Sequence, residues 1–118
     1  MGLLKRENIN IDNKPTRYFS SKQEKKVAKN LNGKVQKNSG ATPYQKGDVS
    51  LEKYLIECKT KTTHSDSISI KKEWLEKLDR EALFMGKPNS ALIFNFGIDE
   101  KNYVIISEEL FRELIENE

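Results

Sequence analysis

The chain has one cysteine, one histidine and no long apolar run, and each scarcity removes a class of protein. A single thiol, Cys58, cannot make an internal disulfide framework and suits a reducing interior. A single imidazole, His64, lies in the polar stretch "THSDS" with no second His or Cys nearby, so a zinc site has no ligand set there. No apolar segment approaches the roughly 20 residues needed to span a bilayer. The first residues also lack the apolar stretch of a secretory signal. A cytoplasmic protein without membrane association is expected. Hydrophobic residues make up only 36% of 118 positions and charged residues 33%, so one modest core with much solvated surface is the expected organisation.

Charge is abundant and unevenly placed. Residues 1–61 hold 14 Lys and Arg against 6 Asp and Glu, whereas the remainder is acidic, and the whole chain carries +3. A basic half is the electrostatic footprint of a nucleic-acid binder, because phosphate neutralisation supplies most non-specific affinity. Lysines that merely keep a small domain in solution would give the same count. Arg17, Lys22, Lys25, Lys37, Lys46, Lys61, Lys71 and Lys72 are the candidate phosphate contacts.

Along the chain, residues 1–17 show no sustained period and read as a flexible basic arm, with a single domain over 18–118. From Tyr18 the pattern turns helical, capped by Ser20 or Ser21, with Phe19, Val27, Ala28 and Leu31 on one stripe and Asn32-Gly33 as the stop. Glu24 falls on that apolar stripe. Short β signals follow at Lys34–Lys37, Asp48–Ser50 and Tyr54–Thr60. A second helix is expected from about Ser69 to Met85, with Ile70, Trp74, Leu78 and Ala82 at steps of four, ended by Gly86 and Pro88. "ALIFNF" and "NYVIIS" predict two more strands, and Ser107 caps a final helix whose first turn holds Glu108 and Glu109. The order α-β-β-β-α-β-β-α predicts an α/β fold, a mixed central sheet of about five strands flanked by helices.

The strand "YLIECKT" carries charge where a buried strand should not. Side chains alternate across a strand, so Leu55, Glu57 and Lys59 share one face while Tyr54, Ile56 and Cys58 share the other. If the Asp48 segment pairs with this strand as a hairpin, Asp48 approaches Glu57. Two facing carboxylates repel, and one takes up a proton unless a cation bridges them. Oxygen ligands of this kind suit Mg²⁺, which can polarise a phosphoryl oxygen and lower the pKa of a bound water. Lys59 beside it would orient that water or offset charge developing on the phosphate. The plainer reading is a surface strand with a Glu57–Lys59 ion pair worth under about 1 kcal/mol.

The pattern Gly47-Asp48-Val49 followed by Leu55-Ile56-Glu57-Cys58-Lys59 resembles the signature of the PD-(D/E)XK nuclease superfamily. The wider run "KNSGATPYQKGDVSLEKYLIECKT", with Glu24 on the helix before it and Ser39-Gly40 ahead of the aspartate, more closely resembles the archaeal-type Holliday junction resolvases and their phage-encoded relatives. The resemblance spans roughly residues 18–96. It implies a restriction-endonuclease-like fold and a DNA endonuclease that resolves four-way or branched junctions, leaving a 5′-phosphate and acting as a homodimer. It further implies Asp48, Glu57 and the Cys58 backbone carbonyl as ligands to Mg²⁺ or Mn²⁺, and Lys59 as the catalytic lysine. Glu24 would then contribute to the metal shell, and Ser39 would assist near the scissile phosphate. Two positions depart from the pattern: Gly47 stands where a proline is usual, and the following helix offers Trp74 where a glutamine is frequent. The rival expectations are a nicking or restriction-like nuclease acting on duplex DNA, and a DNA-binding accessory module whose carboxylates are inert.

Overall fold

The computed structural model describes residues 16–36 and 47–118, with side chains from Ser21 onward. Residues 1–15 of the expected arm, Ser39-Gly40, Lys37 and Lys46 lie outside the described residues, as do the side chains of Arg17, Tyr18, Phe19 and Ser20. Among the described residues the elements are α1 (Thr16–Leu31), β1 (Lys34–Val35), β2 (Val49–Ser50), β3 (Tyr54–Lys59), α2 (Lys72–Phe84), β4 (Asn89–Phe94), β5 (Tyr103–Ile105) and α3 (Glu108–Glu116). No helix among the described residues is long and apolar enough to cross a membrane.

Both long helices stop by the same device. Asn32 adopts φ 58° and the Gly33 amide donates to Ala28 O at 2.8 Å, closing α1. Gly86 adopts φ 70°, and the amides of Gly86 and Lys87 return to Leu83 O and Ala82 O. A left-handed residue just past the last turn lets the following amides satisfy carbonyls that the helix leaves open. The starts depart from expectation. Helix α1 begins at Thr16, so Ser20 and Ser21 lie inside it and not at its N-cap. Helix α2 begins at Lys72 after an extended Lys71 with no side-chain cap, not near Ser69. Ile70 still packs against the α2 core, but from the loop. The start of α3 follows the sequence: Ser107 Oγ accepts the Leu110 amide at 3.0 Å, and Glu108 and Glu109 occupy the first turn.

The five strands form one mixed sheet in the order β1-β2-β3-β4-β5. β1/β2, β2/β3 and β4/β5 are antiparallel, whereas β3 and β4 run parallel, Glu57 opposite Leu92 and Lys59 opposite Phe94. Only the parallel pair needs a crossover, and α2 supplies it. On one face, Val27 and Ala28 of α1 pack over Val49, Ile56, Cys58, Ala91 and Ile93. On the other, Leu78 and Ala82 of α2 cover Leu55 and Leu92. Leu31, expected on the buried stripe of α1, is instead exposed, while Gln23, one turn before Val27, is buried. Thus β3, the strand with charge in it, lies inside the sheet with a helix on each side.

Candidate active site

The alternation expected for β3 holds. Ile56 and Cys58 are buried beneath α1, while Leu55 turns to the α2 side. Glu57 and Lys59 share that α2 side with Leu55, and each is only partly covered, at 26% and 32% side-chain exposure.

Asp48 is brought to Glu57 by a local irregularity in the hairpin. Val49 pairs with Ile56, yet the Asp48 amide also goes to Ile56 O, at 2.9 Å. Two consecutive residues thus address one residue of β3, the pattern of a β-bulge, which bends its strand and re-aims a side chain. Gly47, just before it, has φ 70°, and a Cβ built there would meet Leu55 Cγ and Cδ1 at 2.7 Å. Neither a proline, whose φ is fixed near −65°, nor any other side chain fits that position. Glycine at this position therefore has a steric cause in this chain. Turned inward by the bulge, Asp48 accepts the Cys58 amide on Oδ2 at 2.8 Å, satisfying a strand amide that has no ladder partner where β2 ends. Because the N–H and C=O of one strand residue face the same edge, the Cys58 carbonyl turns toward Asp48 as well.

The electrostatics follow from this packing. Burial, then the neighbouring Asp48 carboxylate, raises the Glu57 carboxyl from 4.5 to about 7; Glu81 adds to the rise, and Lys59 and Lys77 oppose it. A proton held that tightly marks a place where a second positive charge would be welcome. The donor set, two oxygen-bearing carboxylates at a strand edge, fits a hard divalent cation such as Mg²⁺ or Mn²⁺. Among the described residues no group of three His, Cys, Asp or Glu side chains is gathered as a cation site, so the pair would complete a coordination shell with water and backbone oxygen. Glu24 is half-buried on α1 and acts on the neighbouring Cys58 thiol, which burial above all, then Asp48, Glu24 and Glu57, pushes far up.

Three contributors are not evident from the β3 motif alone. Lys59 Nζ is 3.8 Å from Glu57 Oε2 and 4.4 Å from the centre of the Trp74 ring, so the indole is a direct neighbour of the lysine as well as a core side chain. Glu81 is the second, and the signal for it was present: Trp74, Leu78 and Glu81 recur on one helical face. The third is Gln23, whose Nε2 donates to Lys59 O at 3.1 Å and to Asn102 Oδ1 at 3.4 Å. Asn102 Oδ1 also accepts from Asn95 Nδ2 at 3.2 Å, and Asn95 Oδ1 accepts from Thr60 Oγ1 at 3.0 Å. This amide chain ties α1 and the β4–β5 connection to the end of β3. It lines a cavity of about 40 Å³ together with Lys22.

The remaining basic candidates divide. Lys25, Lys71 and Lys72 are exposed and Lys61 is half-buried. Lys22 is exposed but engaged by Asp99 at 3.0 Å. Lys71 Nζ lies 5.9 Å from the Trp74 ring centre. His64, expected to stand alone, hydrogen-bonds through Nδ1 to Glu100 Oε2 and so joins two loops. No protein-family model matches the chain, and comparison with curated proteins and with solved structures likewise finds no match.

Proposed function

We propose that this chain is a divalent-cation-dependent DNA endonuclease with a restriction-endonuclease-like fold, hydrolysing phosphodiester bonds at four-way or branched junctions. One observation supports it most: a β-bulge and a left-handed glycine bring Asp48 beside Glu57, with the Lys59 ammonium 3.8 Å from the Glu57 carboxylate. Asp48 and Glu57 would hold Mg²⁺, for which Mn²⁺ would substitute. When bound, the cation supplies a Lewis acid at the phosphate. Lys59 orients the attacking water and offsets the negative charge that develops on the phosphate. Lys25, Lys71 and Lys72 contact flanking phosphates, and Glu24 and Ser39 support the site as the resemblance implies. Symmetric cuts need two sites, hence a two-fold homodimer. Phe111, Leu114 and Ile115 of α3, with Tyr103 and Val104 of the edge strand β5, are exposed and are the apolar side chains such a dimer would bury.

Asp48→Asn is the discriminating variant. Its amide oxygen still accepts the Cys58 N–H, so the bulge survives while the charge is lost. Cleavage of a four-way junction in Mg²⁺ is expected to fall about a hundredfold or more, and a chelator to abolish it in the wild type. Equal cutting of a matched linear duplex would point to the duplex-nuclease alternative. DNA binding without any Mg²⁺-dependent cleavage would leave only the accessory-module reading.

A further inference from the structure

Lys59 and Glu57 carry opposite charges on one strand face, yet they do not make a hydrogen bond. Their 3.8 Å separation exceeds the roughly 2.7–2.9 Å of a charge-assisted N–H···O contact. At that distance the ammonium is within ion-pair range of Glu57 yet not bonded to it, which leaves it open to a second contact. Trp74 supplies that contact: its ring centre lies 4.4 Å from Lys59 Nζ, well inside the range in which an aromatic face attracts a cation. The indole is not free to follow the lysine, because it packs against the Leu55, Leu78, Ala82 and Leu92 cluster.

We propose that Trp74 is a positioning residue that holds the Lys59 ammonium on its ring face and off Glu57, leaving that carboxylate open to a divalent cation. The ring contact stands on geometry alone; its consequence for the cation rests on the nuclease reading above. Without the indole, Lys59 collapses onto Glu57 and competes with the cation for the same oxygens. Lys71, on the N-terminal boundary of α2 and 5.9 Å from the ring, keeps a second positive charge near the indole.

Two measurements on the full chain test this. In ¹H–¹³C spectra the Lys59 ε-methylene, assigned by its loss in Lys59→Met, is expected upfield of the other lysines because of the indole ring current. The shift should vanish in Trp74→Leu and persist in Trp74→Phe, which keeps an aromatic face. A Lys59 signal indistinguishable from the other lysines in the wild type overturns the proposal. In the second measurement, Mn²⁺ titrated into each protein should bind about three- to tenfold more weakly to Trp74→Leu, the fold-change expected from losing one cation–π contact. Affinity should be near wild type in Trp74→Phe, and Trp74→Leu should cost no Mn²⁺ affinity when made on a Lys59→Met background, where no ammonium is left to collapse. A Trp74→Leu penalty that persists on that background, with the fold intact, overturns the spacer role. A wild type that shows the ring-current shift but binds no Mn²⁺ sinks the nuclease reading and leaves the ring contact standing.

Discussion

Replacing Glu57 by glutamine should make the protein more stable at neutral pH in the absence of divalent cations. The folded chain keeps a proton on Glu57 up to about pH 7, because burial and then Asp48 disfavour the ionised form, whereas the unfolded chain releases it near 4.5. Between those values the folded state binds more protons than the unfolded state, so stability falls as pH rises through the window. At 1.36 kcal/mol per pH unit the loss amounts to on the order of 3 kcal/mol, complete by about pH 8. That is a large share of the 5–15 kcal/mol typical of a domain. The assay is urea unfolding of wild type and Glu57→Gln at pH 5, 6, 7 and 8 with chelator present. The difference between the two proteins isolates Glu57 from every other titrating group. Glutamine cannot ionise, so its advantage should be small at pH 5 and grow toward pH 8. Excess Mg²⁺ should shrink the gap by stabilising the ionised wild-type carboxylate. Parallel stability curves for the two proteins across this range would refute the argument that Glu57 is held in a desolvated site beside Asp48.

Three further outcomes follow from the same structure. Gly47→Ala should lose about 3 kcal/mol in urea unfolding, from the left-handed backbone and the Cβ forced against Leu55; a loss under about 1 kcal/mol would mean the bulge relaxes freely. Ser107→Ala removes the acceptor for the Leu110 amide and should lower stability by about 1 kcal/mol, with α3 fraying first in amide hydrogen exchange. Cys58 is buried and its thiol is pushed far up, so a thiol-reactive disulfide reagent at pH 8 should label it only as fast as the protein opens; prompt stoichiometric labelling would contradict its burial under α1.

Local chemistry made much of this molecule legible in the sequence. The alternation of "YLIECK" separated Leu55, Glu57 and Lys59 from Ile56 and Cys58, because the strand period of two leaves no other choice. Ser107 before Glu108 and Glu109 marked the start of α3, and the element order marked the mixed sheet, since a helix between two strands favours a parallel pair. Helix starts were harder. Ser20 and Ser21 offered capping chemistry but fall inside α1, and α2 starts three residues after Ser69, because side-chain preference is weak beside the packing of Val27 or Leu78 against a core.

What the tertiary structure alone decided is where the charges on β3 end up. Nothing local says that the Asp48 amide doubles up on Ile56, that Gly47 lies against Leu55, or that Trp74 carries its ring to Lys59 across the β3–α2 connection. Those contacts depend on how two helices sandwich the sheet, and packing is a property of the whole chain. The sequence by itself determined that β3 would show a carboxylate and an ammonium on one face. Only the fold set them beside a second carboxylate and an aromatic ring, where burial raises the proton affinity of Glu57 and the two charges remain 3.8 Å apart.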